Sequence, residues 1–221
     1  CSAFFKILPT RLLAADRLLA SGSERKAVTA LIRLSKSSGR EGFSADRDGV
    51  INEDSDDYIK SPEEWIPIPG SLDAIARLNH AGYSVAIASN QSGIARGYFN
   101  IEALAAMSVK MNEMLSQHGG RIDAMVYCPH GPKEGCDCRK PKPGMLIEIG
   151  NRFKTSLSNV MFVGDKLNDI KAARAAGVRP VVVRTGKGNR TVARLAEHNF
   201  NDVPVYDNLE EVVNSLLIDH V

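Results

Sequence analysis

The chain has 221 residues, of which 43% are hydrophobic and 24% charged, the composition of an ordinary folded protein. Its length is enough for one well-packed domain, or for one domain with an appendage. The net charge of +2 gives no indication of nucleic-acid binding. No run of residues approaches the ~18 apolar positions that a transmembrane helix needs. We therefore expect neither nucleic acid nor membrane as a partner.

The basic residues are concentrated near the start of the chain. Residues 1–40 carry eight Lys and Arg but only two Asp and Glu, whereas the remainder has a net charge of −4. Leu12–Lys36 is helical by propensity, and Ser35–Gly42 is typical of a flexible linker. We interpret residues 1–40 as an appendage without a catalytic role and residues 41–221 as the main domain. An organellar transit peptide is the alternative.

From about Val50 onward, short apolar runs alternate with longer amphipathic segments. The runs predict strands that are buried on both faces, at Ser84–Ser89, Ala124–Tyr127, Val160–Val163 and Pro180–Val183. Helical spacing of apolar residues predicts helices at Ser71–Ala81, Ile101–His118, Pro143–Phe153, Asn168–Ala176 and Leu209–Leu217. Glycines follow three of these helices, at Gly82, Gly119 and Gly177. The pattern predicts a three-layer α/β fold with a mostly parallel central sheet, which binds ligands at the carboxyl ends of its strands.

The segment Asp46-Arg47-Asp48-Gly49 is the first candidate for catalysis. Carboxylates two residues apart on a strand point the same way, and Gly49 permits a sharp turn after them. One carboxylate can attack phosphorus, while the other protonates the leaving oxygen and later activates water. A hard divalent cation is needed to hold such a pair together, and oxygen ligands suit magnesium. On its own, the pattern is also typical of solvated loop acids.

Three further segments favour catalysis over solvated acids. Ser89–Gly93 follows an apolar strand and offers a hydroxyl group and backbone amides to phosphate oxygens. Arg139-Lys140-Pro141 supplies positive charge to a transferring phosphoryl group. Asp165, which precedes Lys166 at the end of a third strand, completes a predicted magnesium site with Asp46 and the backbone at Asp48.

These four segments, in this order, resemble the haloacid dehalogenase superfamily of phosphatases. The resemblance implies that Asp46 is the nucleophile of an aspartyl-phosphate intermediate and that Asp48 is the general acid and base. It further implies Ser89 and Lys140 as phosphoryl clamps and Asp165 as a metal ligand. No long insertion separates the segments, so we expect no large cap domain.

A cysteine-rich segment predicts a second metal site. Cys128 and His130 form one close pair, and Cys136 and Cys138 form another, a set that matches a closed tetrahedral zinc site. With no open coordination position, such a zinc ion would be structural and would stiffen the loop that ends at Arg139. Clustered thiols also indicate a reducing compartment, and we expect a cytoplasmic protein. Reduced cysteines without a metal are the weaker alternative.

Within the superfamily, the cysteine-rich loop that leads into CDCRKP is similar to two groups, the heptose 1,7-bisphosphate 7-phosphatases and the histidinol-phosphate phosphatases. NQSGIARG at Asn90–Gly97 and RKPKPGM at Arg139–Met145 are similar to the heptose group, and DSDDYIK at Asp54–Lys60 fits its sugar-contacting loop. The resemblance, which runs from about Asp46 to Val183, implies magnesium-dependent hydrolysis of the 7-phosphate in surface-sugar synthesis. Histidinol-phosphate phosphatase is the alternative.

The same resemblance implies which residues line the site for a small phosphorylated sugar. They are Asp54, Ser55, Asp56, Asp57, Ser89, Asn90, Gln91, Ser92, Arg139 and Lys140. Arg96 is a further candidate, for the phosphate that is not hydrolysed, and Lys166 is a further site residue. No coiled-coil heptads or long apolar stripe demand a partner chain, so we expect a monomer.

Two positions depart from the family pattern. Ser89 replaces the usual threonine but keeps the hydroxyl group. Glu41–Ala45, which reads EGFSA, stands where the family has a strongly apolar strand, and Gly, Ser and Ala are poor residues for a central strand. We infer that residues 1–45 are a replaced or mistranslated N-terminus, in which case the protein would fold poorly or hold Asp46 loosely. A catalytically impaired, zinc-stabilised binding module is therefore the second alternative.

Overall fold

The computed structural model describes residues 6–7 and 42–218, so the predicted appendage lies outside the described residues except for Lys6–Ile7. The strands are β1 (Lys6–Ile7), β2 (Gly42–Ala45), β3 (Ser84–Asn90), β4 (Ala124–Cys128), β5 (Val160–Gly164), β6 (Arg179–Val183) and β7 (Val205–Tyr206). The α-helices are α1 (Ser71–His80), α2 (Ile101–Gln117), α3 (Gly144–Phe153), α4 (Leu167–Ala176), α5 (Gly188–Val192) and α6 (Leu209–Ile218). Short 3₁₀ turns occur at Leu157–Asn159 and Ala196–His198.

The strands form a single sheet in the order β1-β4-β3-β2-β5-β6-β7. β1 pairs antiparallel with β4, and all the other pairs are parallel. β2 lies at the centre, with β3 on one side and β5 on the other, so the carboxyl ends of these three strands meet at one edge of the sheet. The predicted α/β fold with a mostly parallel sheet is confirmed.

Each central strand sends alternate side chains into two separate cores. In β3, Val85 and Ile87 pack with residues of α1, α2 and α6, whereas Ala86 and Ala88 pack with residues of α3 and α4. Because both faces are covered, the strands consist of nearly continuous apolar residues rather than alternating ones. The three layers predicted from the sequence are therefore present.

The predicted helices and strands are present, with bounds that differ by at most one residue. Gly177 ends α4 with a φ of 72°, the left-handed conformation that glycine adopts without a steric cost. The sequence pattern did not predict α5, β1 or β7, because these elements are too short to show a helical or strand period.

β2, which contains the residues of weak strand propensity, is buried over its whole length at the centre of the sheet. A Cβ atom added to Gly42 would lie 2.9 Å from Cγ2 of Val160, so β5 leaves little room there for a larger residue. The backbone N–H of Asp46 donates to the carbonyl of Val163 at 2.9 Å. This hydrogen bond continues the pairing of β2 with β5 as far as Asp46, so the weak strand propensity of β2 does not prevent the strand from forming. That Asp46 is held loosely is a prediction that this pairing does not test. A lower stability of this segment stays a prediction.

No cap domain is present within residues 42–218. The connections over residues 46–70 and 91–100, which follow β2 and β3, contain turns and isolated bridges but no helix or extended strand. The described part of the chain also contains no helix that is both long and apolar enough to span a membrane. The carboxyl ends of the central strands therefore carry only loops.

Candidate active site

A cavity of about 260 Å³ opens at the carboxyl ends of β2 and β3 and the start of α4. Its lining residues are Asp46, Asp48, Asp54, Ser55, Asp56, Tyr58, Ile59, Ser89, Asn90, Gln91, Arg139, Lys140, Lys166, Asn168, Asp169 and Lys187. A larger depression of about 630 Å³ lies at the start of α2, but its lining contains neither carboxylate of the Asp46–Asp48 pair. We therefore take the smaller cavity as the candidate active site.

Asp46 lines this cavity, and its side chain is only 6% exposed. One carboxylate oxygen accepts the backbone N–H of Arg47 at 2.8 Å, and the other lies 3.0 Å from the ammonium of Lys140. Burial raises the pKa of Asp46, and the charge of Lys140 offsets only part of this effect. Additional positive charge, such as a bound cation, would therefore favour the ionised, nucleophilic form.

Lys140 provides a fixed positive charge beside the nucleophile. It is 2% exposed, and its ammonium contacts Asp46 at 3.0 Å, Asp169 at 2.7 Å and the carbonyl of Ala88 at 2.8 Å. These three acceptors match the three N–H donors of the ammonium group. Burial alone would lower the pKa of Lys140, but Asp169 and Asp46 together hold it above its usual value.

Asp169 was not among the predicted site residues, although the sequence contains a signal for it. It lies at the third position of α4, where its Oδ2 atom accepts the backbone N–H of Lys166 at 2.9 Å. The capping interaction fixes the carboxylate so that Oδ1 faces Lys140. The Asp-Lys-x-x-Asp spacing that ends at Asp169 is therefore the signal that could have predicted its place in the site.

Asp48 is held by an array of hydrogen-bond donors. Nε and Nη2 of Arg47 donate to its two oxygens at 2.9 and 3.0 Å, and the side-chain amides of Asn52 and Gln91 each donate at 2.9 Å. Burial alone would raise the pKa of Asp48, but Arg47 and these hydrogen bonds hold it below its usual value. Asp48 is thus ionised here, the form required of a base that activates water.

Asp165 is fully buried against the loop that follows β2. A Cβ atom at Gly49, whose φ is 89°, would lie 2.3 Å from Oδ2 of Asp165, and one at Gly186 would lie 2.5 Å from it. Only glycine at both positions leaves room for this carboxylate. Burial raises the pKa of Asp165 to about 7, although the ammonium of Lys166 opposes the effect.

The carboxylates of Asp46, Asp165 and Asp169 lie within 4.8 Å of one another. Such a cluster of hard oxygen donors fits magnesium. Asp46 and Asp169 each already contact Lys140 and a backbone N–H, so these contacts do not distinguish them as ligands. The set that we assign to the cation, Asp46, Asp165 and the carbonyl of Asp48, stays a prediction from the sequence. Asp46 directly follows β2 and Asp165 directly follows β5, which brings these two carboxylates together.

Two polar residues at the end of β3 line the cavity, where the sequence predicts phosphate binding. Ser89 is 1% exposed, and its hydroxyl oxygen accepts the side-chain amide of Gln91 at 2.9 Å. The amide group of Asn90 exchanges two hydrogen bonds of 3.1 Å with the backbone of Lys140. Asn90 thus joins β3 to the Arg139–Lys140 segment.

The structure does not bring every predicted substrate residue to the cavity. Asp57, Ser92 and Arg96 are absent from its lining. Ser92 is buried in the turn after β3, where its carbonyl accepts the N–H of Arg96. The guanidinium of Arg96 instead lies 5.9 Å from the ring centre of Tyr58, which does line the cavity.

The cavity lining also contains four residues that were not predicted as site residues from the sequence: Tyr58, Ile59, Asn168 and Lys187. They lie on loops or at the start of α4, where no sequence period predicts the direction of a side chain. Lys187 pairs with Asp56 across the opening and donates its backbone N–H to Asp165 at 2.8 Å.

The four predicted zinc ligands lie together. The contacts of Cys136 with Cys128 and Cys138 are 3.6 and 3.5 Å, and Nδ1 of His130 lies 3.5 and 3.2 Å from the same two sulfurs. A zinc ion bonded to sulfur at about 2.3 Å would hold two sulfurs about 3.8 Å apart, so these residues fit a tetrahedral site. Burial raises the pKa of Cys128 above its usual range, so a cation is needed to hold it as a thiolate.

Arg139 follows the last of these cysteines directly. Its Nη1 atom donates to the carbonyl of His130 at 3.2 Å, and its side chain lines the cavity. A metal that fixed His130 would therefore also fix the position of this guanidinium group.

Comparisons with known proteins agree with this geometry. Residues 137–212 match a family model described as HAD-hydrolase-like, that is, haloacid dehalogenase-like. The D-glycero-beta-D-manno-heptose-1,7-bisphosphate 7-phosphatase of Pseudomonas aeruginosa is 54% identical over 173 residues, which cover 78% of this chain and 95% of that protein. The protein of the same name from Neisseria meningitidis serogroup A is 48% identical and covers 74% of this chain and 88% of its own length.

A solved structure is also similar to this chain. It is the D,D-heptose 1,7-bisphosphate phosphatase of B. bronchiseptica, complexed with magnesium and phosphate. The two are 47% identical with a TM-score of 0.77, and the match covers 81% of this chain and 99% of the other. With this identity and coverage, the chain belongs to the D-glycero-β-D-manno-heptose-1,7-bisphosphate 7-phosphatase family of haloacid dehalogenase-like hydrolases.

Proposed function

We propose that the protein hydrolyses the 7-phosphate of D-glycero-β-D-manno-heptose 1,7-bisphosphate in a magnesium-dependent reaction. The product would serve ADP-heptose and lipopolysaccharide-core synthesis, or the synthesis of a related surface sugar. The observation that carries the proposal is the single cavity in which Asp46, Asp48, Ser89 and Lys140 meet. The choice of substrate is supported by relatives of that name at 48–54% identity.

In the first step, a carboxylate oxygen of Asp46 attacks the phosphorus of the 7-phosphate. The bond between phosphorus and the sugar oxygen breaks, which leaves an aspartyl phosphate on the enzyme. Lys140 stabilises the charge of the phosphoryl group from its fixed place beside Asp46, and the hydroxyl group of Ser89 binds a phosphoryl oxygen. The buried positions of both residues limit reorganisation during the transfer. A proton from Asp48 neutralises the leaving sugar oxygen, so Asp48 must first exchange one of its hydrogen-bond donors for a proton.

In the second step, Asp48 acts as a base. Its carboxylate takes a proton from water while the water oxygen attacks phosphorus, and Asp46 leaves as a free carboxylate with release of orthophosphate. The donors from Arg47, Asn52 and Gln91 stabilise the ionised form from which this step starts. The catalytic residues are then back in their starting states.

The two metals have separate roles in this proposal. Asp46, Asp165 and the carbonyl of Asp48 would hold magnesium, which offsets phosphate charge when bound. The cysteine and histidine set would hold a structural zinc ion that fixes Arg139 through His130. We further expect a monomer that binds no nucleic acid. The free thiols are in line with a cytoplasmic location.

The first test is phosphate release from heptose 1,7-bisphosphate and from histidinol phosphate, each with and without Mg²⁺. We expect rapid, magnesium-dependent release from the heptose substrate alone. Asp46→Asn removes the nucleophile and should abolish turnover, by at least about 10³-fold. Asp57→Asn, a matched change at an exposed residue outside the cavity lining, should leave turnover unchanged.

The results separate the three candidate functions. Preferential hydrolysis of histidinol phosphate would favour the histidinol-phosphate alternative. No release from either substrate by a folded protein that binds Mg²⁺ would favour the binding module. Activity that survives Asp46→Asn would contradict the proposed nucleophile.

A further inference from the structure

The ammonium of Lys166 lies among the oxygen atoms that we assign to the cation. It is 2.8 and 3.0 Å from the two carboxylate oxygens of Asp165 and 3.3 Å from the carbonyl of Asp48. A fourth contact, of 3.2 Å, joins it to Oδ2 of Asp54, which lines the cavity. Lys166 therefore binds two of the three groups assigned to magnesium and also contacts the substrate cavity.

Other nearby ammonium groups are committed elsewhere. The three N–H donors of the Lys140 ammonium contact Asp46, Asp169 and a backbone carbonyl. Lys187 pairs with Asp56, and its ammonium lies 3.9 Å from Asp54. No side-chain contact between Lys187 and the Asp165 carboxylate is among the ion pairs of the described residues, whereas Lys166 contacts both of its oxygens.

Lys166 also has room to move. Its backbone is fixed at the start of α4, but its side chain is 35% exposed, in contrast to the buried Asp165. The four rotatable bonds of a lysine let the ammonium shift by several ångströms while the backbone stays in place. The ammonium can therefore leave Asp165 while it keeps its contact with Asp54, which lines the cavity.

We propose that Lys166 is a tethered counter-ion that couples cation binding to anion binding. Its ammonium and a divalent cation compete for Asp165 and the carbonyl of Asp48, because two positive charges a few ångströms apart repel each other strongly in a buried site. When a cation binds, the ammonium moves toward Asp54 and the cavity, where it attracts an anionic substrate. Cation and anion should then each tighten the binding of the other. The inference rests on the proposed function, which supplies the cation.

The test measures binding rather than turnover. Calorimetry with MgCl₂ is done on the full chain as wild type, Lys166→Met and Lys187→Met, with Asp165→Asn to locate the cation site. We expect Lys166→Met to bind Mg²⁺ about tenfold more tightly than wild type, because the competing charge is gone. Lys187→Met removes a nearby positive charge that does not contact the Asp165 carboxylate, and it should change the affinity by less than about threefold.

A second titration uses orthophosphate as the anion, with and without saturating Mg²⁺. In wild type, Mg²⁺ should tighten phosphate binding, and in Lys166→Met this enhancement should be at least about threefold smaller. Lys166→Gln repeats both titrations with a polar side chain in case the methionine variant fails to fold.

The possible failures are distinguishable. Unchanged or weaker Mg²⁺ binding in both Lys166 variants would overturn the inference while leaving the proposed function intact. An equal gain in Lys187→Met would also overturn it, since it would indicate a general charge effect. Absence of Mg²⁺ binding by wild type would overturn the proposed magnesium site, and the inference with it.

Discussion

The charge of Asp165 depends strongly on its buried surroundings. Its carboxylate is fully buried, and burial raises its pKa from 3.8 to about 7. The folded chain therefore binds a proton at Asp165 that the unfolded chain has already released, over the range between these two values. Asp46, whose pKa is also raised by burial, acts in the same direction.

The sign of the pH effect follows from this difference. Where the folded state binds more protons than the unfolded state, stability falls as pH rises. We expect metal-free protein to be less stable at pH 7.5 than at pH 5.5, by at most about 1.4 kcal/mol per pH unit from Asp165. Asp48, with its lowered pKa, is ionised in both states over this range and does not contribute.

Urea unfolding of metal-free protein at the two pH values measures the effect. Asp165→Asn should reduce the dependence, and Mg²⁺ should stabilise the wild type more at pH 7.5 than at pH 5.5. Equal stability at both pH values in wild type would contradict the raised pKa.

At the scale of elements, β2 forms a strand because the neighbouring strands pair with it on both sides. It hydrogen-bonds to β3 and β5 on its two sides, and Gly42 occupies a space that a larger residue would overfill. Val160 is β-branched and has few alternative rotamers, so it yields little to a methyl group added at Gly42.

We therefore expect Gly42→Ala to destabilise the protein by about 1–3 kcal/mol. Val160→Ala leaves space for the new methyl group, so the double variant should be more stable than the sum of the two single changes predicts. Urea denaturation of the four proteins measures this coupling. Strict additivity would contradict a steric conflict between the two positions.

The cysteine-rich loop is the second element with a testable role. His130 lies in the predicted zinc set, and its carbonyl binds the guanidinium of Arg139. Cys136→Ser should reduce the zinc content of the protein. At saturating Mg²⁺ it should also raise KM by about tenfold with a smaller loss of kcat, because Arg139, which lies outside the reacting centre, is then held less firmly. Lys142→Met alters the same loop at a residue that is not a ligand, and should keep both zinc and KM.

Metal analysis and steady-state kinetics on the same samples check this prediction. A Cys136→Ser protein without zinc but with an unchanged KM would show that the zinc site does not position Arg139.

At the scale of the whole molecule, the described core is contained in residues 42–218. Both large apolar clusters are built from residues of β2 and later elements. The described N-terminal residues, Lys6–Ile7, contribute only a short edge strand beside β4. The cavity lining also begins at Asp46.

A chain that starts at Glu41 should therefore keep its kcat/KM within about twofold of the full chain, because an edge strand contributes little to a core of this size. Its melting temperature should fall by no more than a few degrees, about what the loss of 1 kcal/mol causes in a domain of this length. A loss of activity in a folded, truncated protein would show that residues 1–40 have a role in catalysis.

Much of the fold was predictable from local pattern. Strands buried on both faces must be apolar throughout, and helices that cover a sheet must repeat their apolar residues every three or four positions. Polar residues at the ends of the strands or directly after them, including Asp46, Ser89 and Asp165, must then meet at one edge of a parallel sheet. The zinc set was predictable because its ligands are close in sequence.

What the sequence determined by itself is thus the layer order, the strand ends and the carboxylates that meet at the edge of the sheet. Only the tertiary structure decided which loop residues face the cavity, so Arg96 lies against Tyr58 while Lys187 reaches the site. It also decided that Gly42–Ala45 forms the central strand. The physical reason is the same in each case: these positions depend on contacts between segments far apart in the chain, which have no local period.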